Sequence, residues 1–125
     1  MPVPRVADAA KPLNMRKYLA EFLGTFAMVF CGTGAIIINQ EANGAITHLG
    51  IAITFGLIVM VMIYALGAIS GAHFNPAVTL AFHISGSFER KEILPYWASQ
   101  FFGAIAASGL LRFLFPTNLM LGATM

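Results

Sequence analysis

Between Leu49 and Ile69 the chain carries no charged side chain. About 20 apolar residues in a helix rising 1.5 Å each cover the ~30 Å hydrocarbon thickness of a bilayer, so this stretch is long enough to span one. Two further stretches behave alike. Residues 19–39 hold a single charge, Glu21, and residues 93–115 hold Gln100 inside and Arg112 near the end. The composition agrees: hydrophobic residues are 58% and charged residues 10% of the chain, against roughly 45–50% and ~25% for globular proteins. A chain with so little polar surface reads as an integral membrane protein. The pI near 9.0 does not point to nucleic acid, because the basic residues sit beside the apolar spans, where membrane topology accounts for them.

Residues 1–18 form an N-terminal segment with Pro2, Pro4 and Pro12 among Arg5, Lys11, Arg16 and Lys17, with no convincing signal-cleavage site after it. Arg90 and Lys91 precede the third span, while residues 40–48, with a turn at Asn43-Gly44, carry no lysine or arginine. The positive-inside rule puts the N-terminus and the 86–92 loop in the cytoplasm and the 40–48 loop outside. Three crossings then leave the C-terminus outside, in a multi-pass protein of the cell membrane. Cys31 is the only cysteine, so the chain forms no internal disulfide, and a small buried thiol is expected there.

The segment 70–85, SGAHFNPAVTLAFHIS, therefore begins and ends on one side of the membrane. Asn75 is suited to cap a helix that Pro76 starts. From Asn75 to Ser85 such a helix extends roughly 16 Å, about half the bilayer core. Its apolar residues go nearly all round, unlike those of an interfacial helix, so it calls for burial. The expectation is a re-entrant loop and half-helix. Irregular backbone survives at membrane depth only when it is buried in protein or faces a water-filled cavity. The carbonyls of Gly71, Ala72, His73 and Phe74 become acceptors along a path. The Asn75 amide becomes a donor at its waist, with the positive end of the helix dipole opposing cations and protons. Asn75 as a simple cap is the plainer alternative, and the two roles are compatible.

SGAHFNPAVTLA at 70–81 resembles the first signature loop of the major intrinsic protein family, the aquaporins and glycerol facilitators. AEFLGTF at 20–26 and YWASQFFGA at 96–104 resemble its first and third helices. The resemblance implies an all-α membrane protein in which three transmembrane helices and one re-entrant half-helix make half of an inverted-repeat fold over residues 19–125. It implies a passive channel for water, with glycerol or other small neutral solutes possible, that excludes ions and protons and is no enzyme. The partners implied are the bilayer and a complementary second half or other copies, with a tetramer for the full channel; no cofactor is implied. Glu21 is expected to accept hydrogen bonds from the loop backbone, with Gln100, Pro76 and Ala77 supporting the loop. Phe55 matches a residue lining the outer constriction, as in water-selective members. The family's second Asn-Pro-Ala and its selectivity arginine have no counterpart in these residues.

Two other readings compete. One is a non-conducting assembly module, a truncated half that inserts without flux. The other is a membrane enzyme built on Glu21 and His73, for which the sequence offers no nucleophile or metal-ligand set. His73, His83 and His48 read as structural or loop residues, and Gln100 as glue between helices. Gly103 and Ala107, four apart in the third span, form a small-residue face expected to pack against the inverted half.

Overall fold

The computed structural model describes residues 14–123, so the N-terminal expectations for residues 1–13 lie outside the described residues. The described residues form four α-helices and no strand: α1 (Met15–Glu41), α2 (Thr47–Ser70), α3 (Pro76–Ile84) and α4 (Ile93–Leu114), with one 3-10 turn at Arg90–Glu92. α1 and α2 are long and apolar enough to cross a membrane. α3, at nine residues, reaches only about 14 Å. The expected order of long, long, short, long helices is present, but α4, at 22 residues, is not among those apolar enough to cross. α1 lies between α2 and α4, and α3 rests on α4.

What is inside this bundle differs from a water-soluble core. Its buried side chains include Glu21, Thr25, Ser70, His73, Thr79, Gln100 and Asn118 alongside Tyr18, Ala20, Ile37, Phe74, Tyr96, Ala107 and Leu111. Leu49, Ile53, Leu57, Met60, Val61, Ile63 and Tyr64 of α2 are exposed. Apolar residues outside and polar residues inside suit a solvent of lipid, where helices associate through close packing and hydrogen bonds between them.

Close approach depends on particular glycines. A Cβ at Gly103 would lie 2.5 Å from the Phe22 carbonyl oxygen of α1. The Gly103–Ala107 face is thus buried within the chain, against α1, and not left for an inverted half: Ala107 is buried, and Leu111 one turn on reaches Gly34. This corrects the sequence expectation. Residues four apart share a helix face, but the spacing does not say which neighbour that face meets. We expect Gly103→Ala to force α1 and α4 apart, because the obstructing atom is backbone and cannot rotate away. A loss of about 1–3 kcal/mol would appear as a lowered melting temperature in detergent, and an unchanged melt would contradict it.

The ends are tied as well. Asn43 and Gly44 both take positive φ, 53° and 84°, and reverse the chain between α1 and α2. After α4 the chain folds back on α1, a feature the apolar pattern gave no sign of. Asn118 Nδ2 donates to Gln40 Oε1 and Glu41 Oε1, both at 3.1 Å, and its carbonyl accepts from Arg112 at 2.9 Å. At the opposite end Glu92 accepts from Tyr18 at 2.7 Å and pairs with Lys17 at 2.9 Å. Burial pushes the Glu92 carboxyl up, but the hydrogen bonds from Lys17 and Tyr18 outweigh it and hold it below the ordinary carboxylate range.

Candidate functional site

The site is residues 70–79, which connect α2 to the half-helix. α2 ends in a left-handed Gly71 (φ 86°) whose N–H returns to Gly67 O at 2.8 Å. Glycine takes that conformation without cost. Ala72 and Phe74 also have φ of 53°, which is costly for residues with a Cβ, about 1–2 kcal/mol each. What opposes that strain is Glu21, fully buried one helix away.

The Glu21 carboxylate accepts four hydrogen bonds. His73 N–H and Ser70 Oγ donate to Oε1 at 3.0 and 2.8 Å, and Phe74 N–H and Gln100 Nε2 donate to Oε2 at 2.7 and 2.9 Å. Successive N–H groups turned onto one anion form a backbone nest, and the left-handed residues are what turn them. Ser70 Oγ in turn accepts from Ala72 N–H at 3.1 Å. Every backbone N–H from 72 to 74 is therefore satisfied inside the chain. With both carboxylate oxygens occupied, Glu21 is placed to hold the loop.

The same bonds orient the carbonyls. In a trans peptide the C=O of one residue points opposite to the N–H of the next. Because the N–H groups of Ala72, His73 and Phe74 point at Ser70 and Glu21, the carbonyls of Gly71, Ala72 and His73 point away from that wall. None of the 71–74 carbonyls accepts a hydrogen bond from the described residues. Asn75 completes the row. Its backbone is extended (φ −155°), its Oδ1 accepts from Ala77 N–H at 2.8 Å, and the residue is exposed. Capping by Oδ1 leaves the amide NH2 without a partner among the described residues.

Side chains lock the loop from behind. The Phe74 ring occupies the place a Cβ at Gly24 would need. His73 is buried with Phe82, Phe88 and Tyr96 around its ring at centroid distances of 4.6, 4.7 and 5.1 Å. Its Nδ1 lies 2.9 Å from Thr79 Oγ1, which also accepts from Gln100 Nε2 at 2.9 Å. No group of metal-ligating residues stands near it among the described residues. Phe55, on α2, is half-buried with its ring over Gly32 of α1.

Four residues of the site were not singled out in the sequence. Ser70 and Thr79 bridge Glu21, His73 and Gln100. Tyr96 Oη donates to Ser70 O at 2.7 Å, and Trp97 Nε1 donates to Pro76 O at 3.1 Å. Thr79 had a signal, as a lone hydroxyl within the apolar half-helix. Tyr96 and Trp97 had a weaker one, lying four and three residues before Gln100 and so on its helix face.

This loop, capped by Asn-Pro-Ala and anchored on a buried glutamate, lies within a stretch that a known family's profile covers. The profile of the Major intrinsic protein family covers residues 8–125. The chain belongs to the major intrinsic protein family. It is 54% identical over 101 residues to Aquaporin NIP1-1 of Zea mays, covering 81% of this chain and 36% of that protein. It is 52% identical over 101 residues to Aquaporin NIP1-1 of Oryza sativa subsp. japonica, with the same shares of each chain. It is 43% identical over 115 residues to Aquaporin NIP3-1 of Arabidopsis thaliana, covering 89% of this chain and 36% of that one. The chain thus spans about a third of the length of these relatives. Aquaporins are membrane channels for water or small solutes, not enzymes, and the all-helical fold is consistent with theirs.

Proposed function

We propose that the chain is the first half of a passive channel for water, with glycerol or another small neutral solute as the alternative cargo, and that it excludes ions and protons. The carrying observation is the row made by the 71–73 carbonyls, which turn away from the Glu21 wall, and the unpartnered Asn75 amide beside them. A solute with both donors and acceptors can move along it, giving hydrogen bonds to the carbonyls and taking one at Asn75. A cation meets the amide and the positive end of α3 at the same point. Phe55, braced on Gly32, forms a rigid wall toward the outer mouth. Glu21, Gln100, Pro76 and Ala77 hold the half-helix.

The supporting arrangement is a multi-pass one in the cell membrane. The N-terminus is cytoplasmic, α1, α2 and α4 cross, and residues 70–85 dip in and return. A second half of opposite orientation supplies the facing wall, and four complete channels assemble as a tetramer.

Asn75→Asp tests the reading. In the complete channel a carboxylate at this point offsets the positive potential of α3. The expected result is cation leak or a water flux lowered at least about tenfold, the scale of 1.4 kcal/mol. Stopped-flow permeability and ion conductance of reconstituted vesicles measure both. Unchanged water flux with undetectable ion conductance would show that Asn75 does not face the path.

A further inference from the structure

We propose that Trp97 is a positioning residue for Asn75, acting through the first turn of the half-helix; this rests on the channel reading above. Pro76 begins α3 and has no N–H, so that turn is attached to the rest of the chain mainly through groups that accept. Among the described residues α4 attaches to it at two points. Gln100 of α4 donates to Thr79 Oγ1 at 2.9 Å, and Trp97 of α4 donates to Pro76 O at 3.1 Å. Trp97 and Gln100 are three residues apart on α4, and Pro76 and Thr79 are three apart on α3, so each pair shares a helix face. A rigid rod held at one point pivots about it, whereas a rod held at two does not.

The two points are not equivalent. Thr79 is fully buried and doubly held, by Gln100 and by the His73 ring at 2.9 Å. Pro76 O has Trp97 as its only donor from outside α3 among the described residues. Without the indole N–H, α3 keeps its anchor at Thr79 and pivots there, and the end that swings is the one carrying Asn75. The Asn75 cap is the contact that senses this, because it spans the joint: Phe74 before it is fixed to Glu21, while Ala77, whose N–H donates to Asn75 Oδ1, moves with the turn. The Glu21 nest lies upstream, at the amides of His73 and Phe74, and does not depend on Trp97.

Trp97→Phe keeps a ring and removes the donor. In the complete channel in lipid nanodiscs, amide exchange by NMR is expected to remain slow at His73 and Phe74. At Ala77 it is expected to run roughly five- to tenfold faster, the factor set by one lost hydrogen bond, with a changed Asn75 side-chain amide resonance. Unchanged Ala77 and Asn75 signals would overturn the proposal. So would equal acceleration at His73, Phe74 and Ala77, which marks general loosening of the fold. If Trp97→Phe does not assemble, the unaltered protein decides. The Trp97 indole N–H and the Ala77 N–H are expected to show one common protection factor, each relative to its own unprotected exchange rate, and an indole much less protected than Ala77 would refute the link. Water flux is a separate readout: a complete channel that passes no water defeats the channel reading, while the exchange pattern still judges Trp97.

Discussion

Glu21→Ala is expected to leave the loop unable to hold its shape and the assembled channel without water flux. Ser70 Oγ and Gln100 Nε2 can rotate toward other acceptors, but the His73 and Phe74 N–H groups cannot, since the backbone fixes them. Each buried donor left without a partner costs about 1–3 kcal/mol. The two fixed ones alone therefore remove about 2–6 kcal/mol from a folding free energy of about 5–15 kcal/mol. The left-handed strain at Ala72 and Phe74 then loses the carboxylate that opposed it. Glu21→Asp should also fail, because a side chain one methylene shorter cannot reach both halves of the nest. Glu21→Gln should be intermediate: it keeps one acceptor oxygen but turns an NH2 toward donors. Melting followed by size-exclusion chromatography in detergent, with stopped-flow flux on what survives, ranks the three. A Glu21→Ala protein that melts and conducts like the unaltered one would show that the nest does not support the loop.

That network also shows where sequence reasoning reaches and where it stops. The long helices were legible because a membrane demands uninterrupted apolar runs. The half-helix was legible because Asn75-Pro76 marks a start and the next polar cluster, Ser85-Gly86-Ser87, marks a stop. These are local signals. The expectation that Glu21 meets the loop came from resemblance, since nothing local to residue 21 points to amides 52 and 53 positions away. The seat of Phe74 over Gly24 was hidden for the same reason. The fold-back of residues 115–123 was masked by composition, because its anchor is one asparagine after an apolar run. The Gly103–Ala107 face was visible as a pattern but not in its target. The inside-out polarity of the bundle has one general consequence: buried polar residues such as Thr79 and Gln100 say more about the core than the many exposed leucines do.

This chain alone is expected to insert and to conduct no water. The backbone N–H groups of Ala72, His73 and Phe74 are satisfied internally, so among the described residues what stands unmet is the Asn75 amide and a row of carbonyls from Gly71 to Phe74. Facing lipid, each costs several kcal/mol; facing a second wall across water, none does. A copy of the same chain inserted upside down could supply that wall, as inverted repeats do in transporter folds. Charge opposes it. Of the seven Lys and Arg, six fall on the expected inner side, Arg5, Lys11, Arg16, Lys17, Arg90 and Lys91, and that asymmetry sets one orientation. Arg112, the seventh, is spent on Asn118 at the other end. Copies that all face one way bring their half-helices in from the same side, and no pair of Asn75 amides meets across a waist. The measurement is stopped-flow permeability of liposomes containing the purified chain, with a labelled C-terminus probed for accessibility. Permeability at the lipid background with C-termini on a single face is the expected result. Fast single-file flux with C-termini on both faces would mean that the positive residues do not dictate orientation, and that two copies of this chain complete the channel between them.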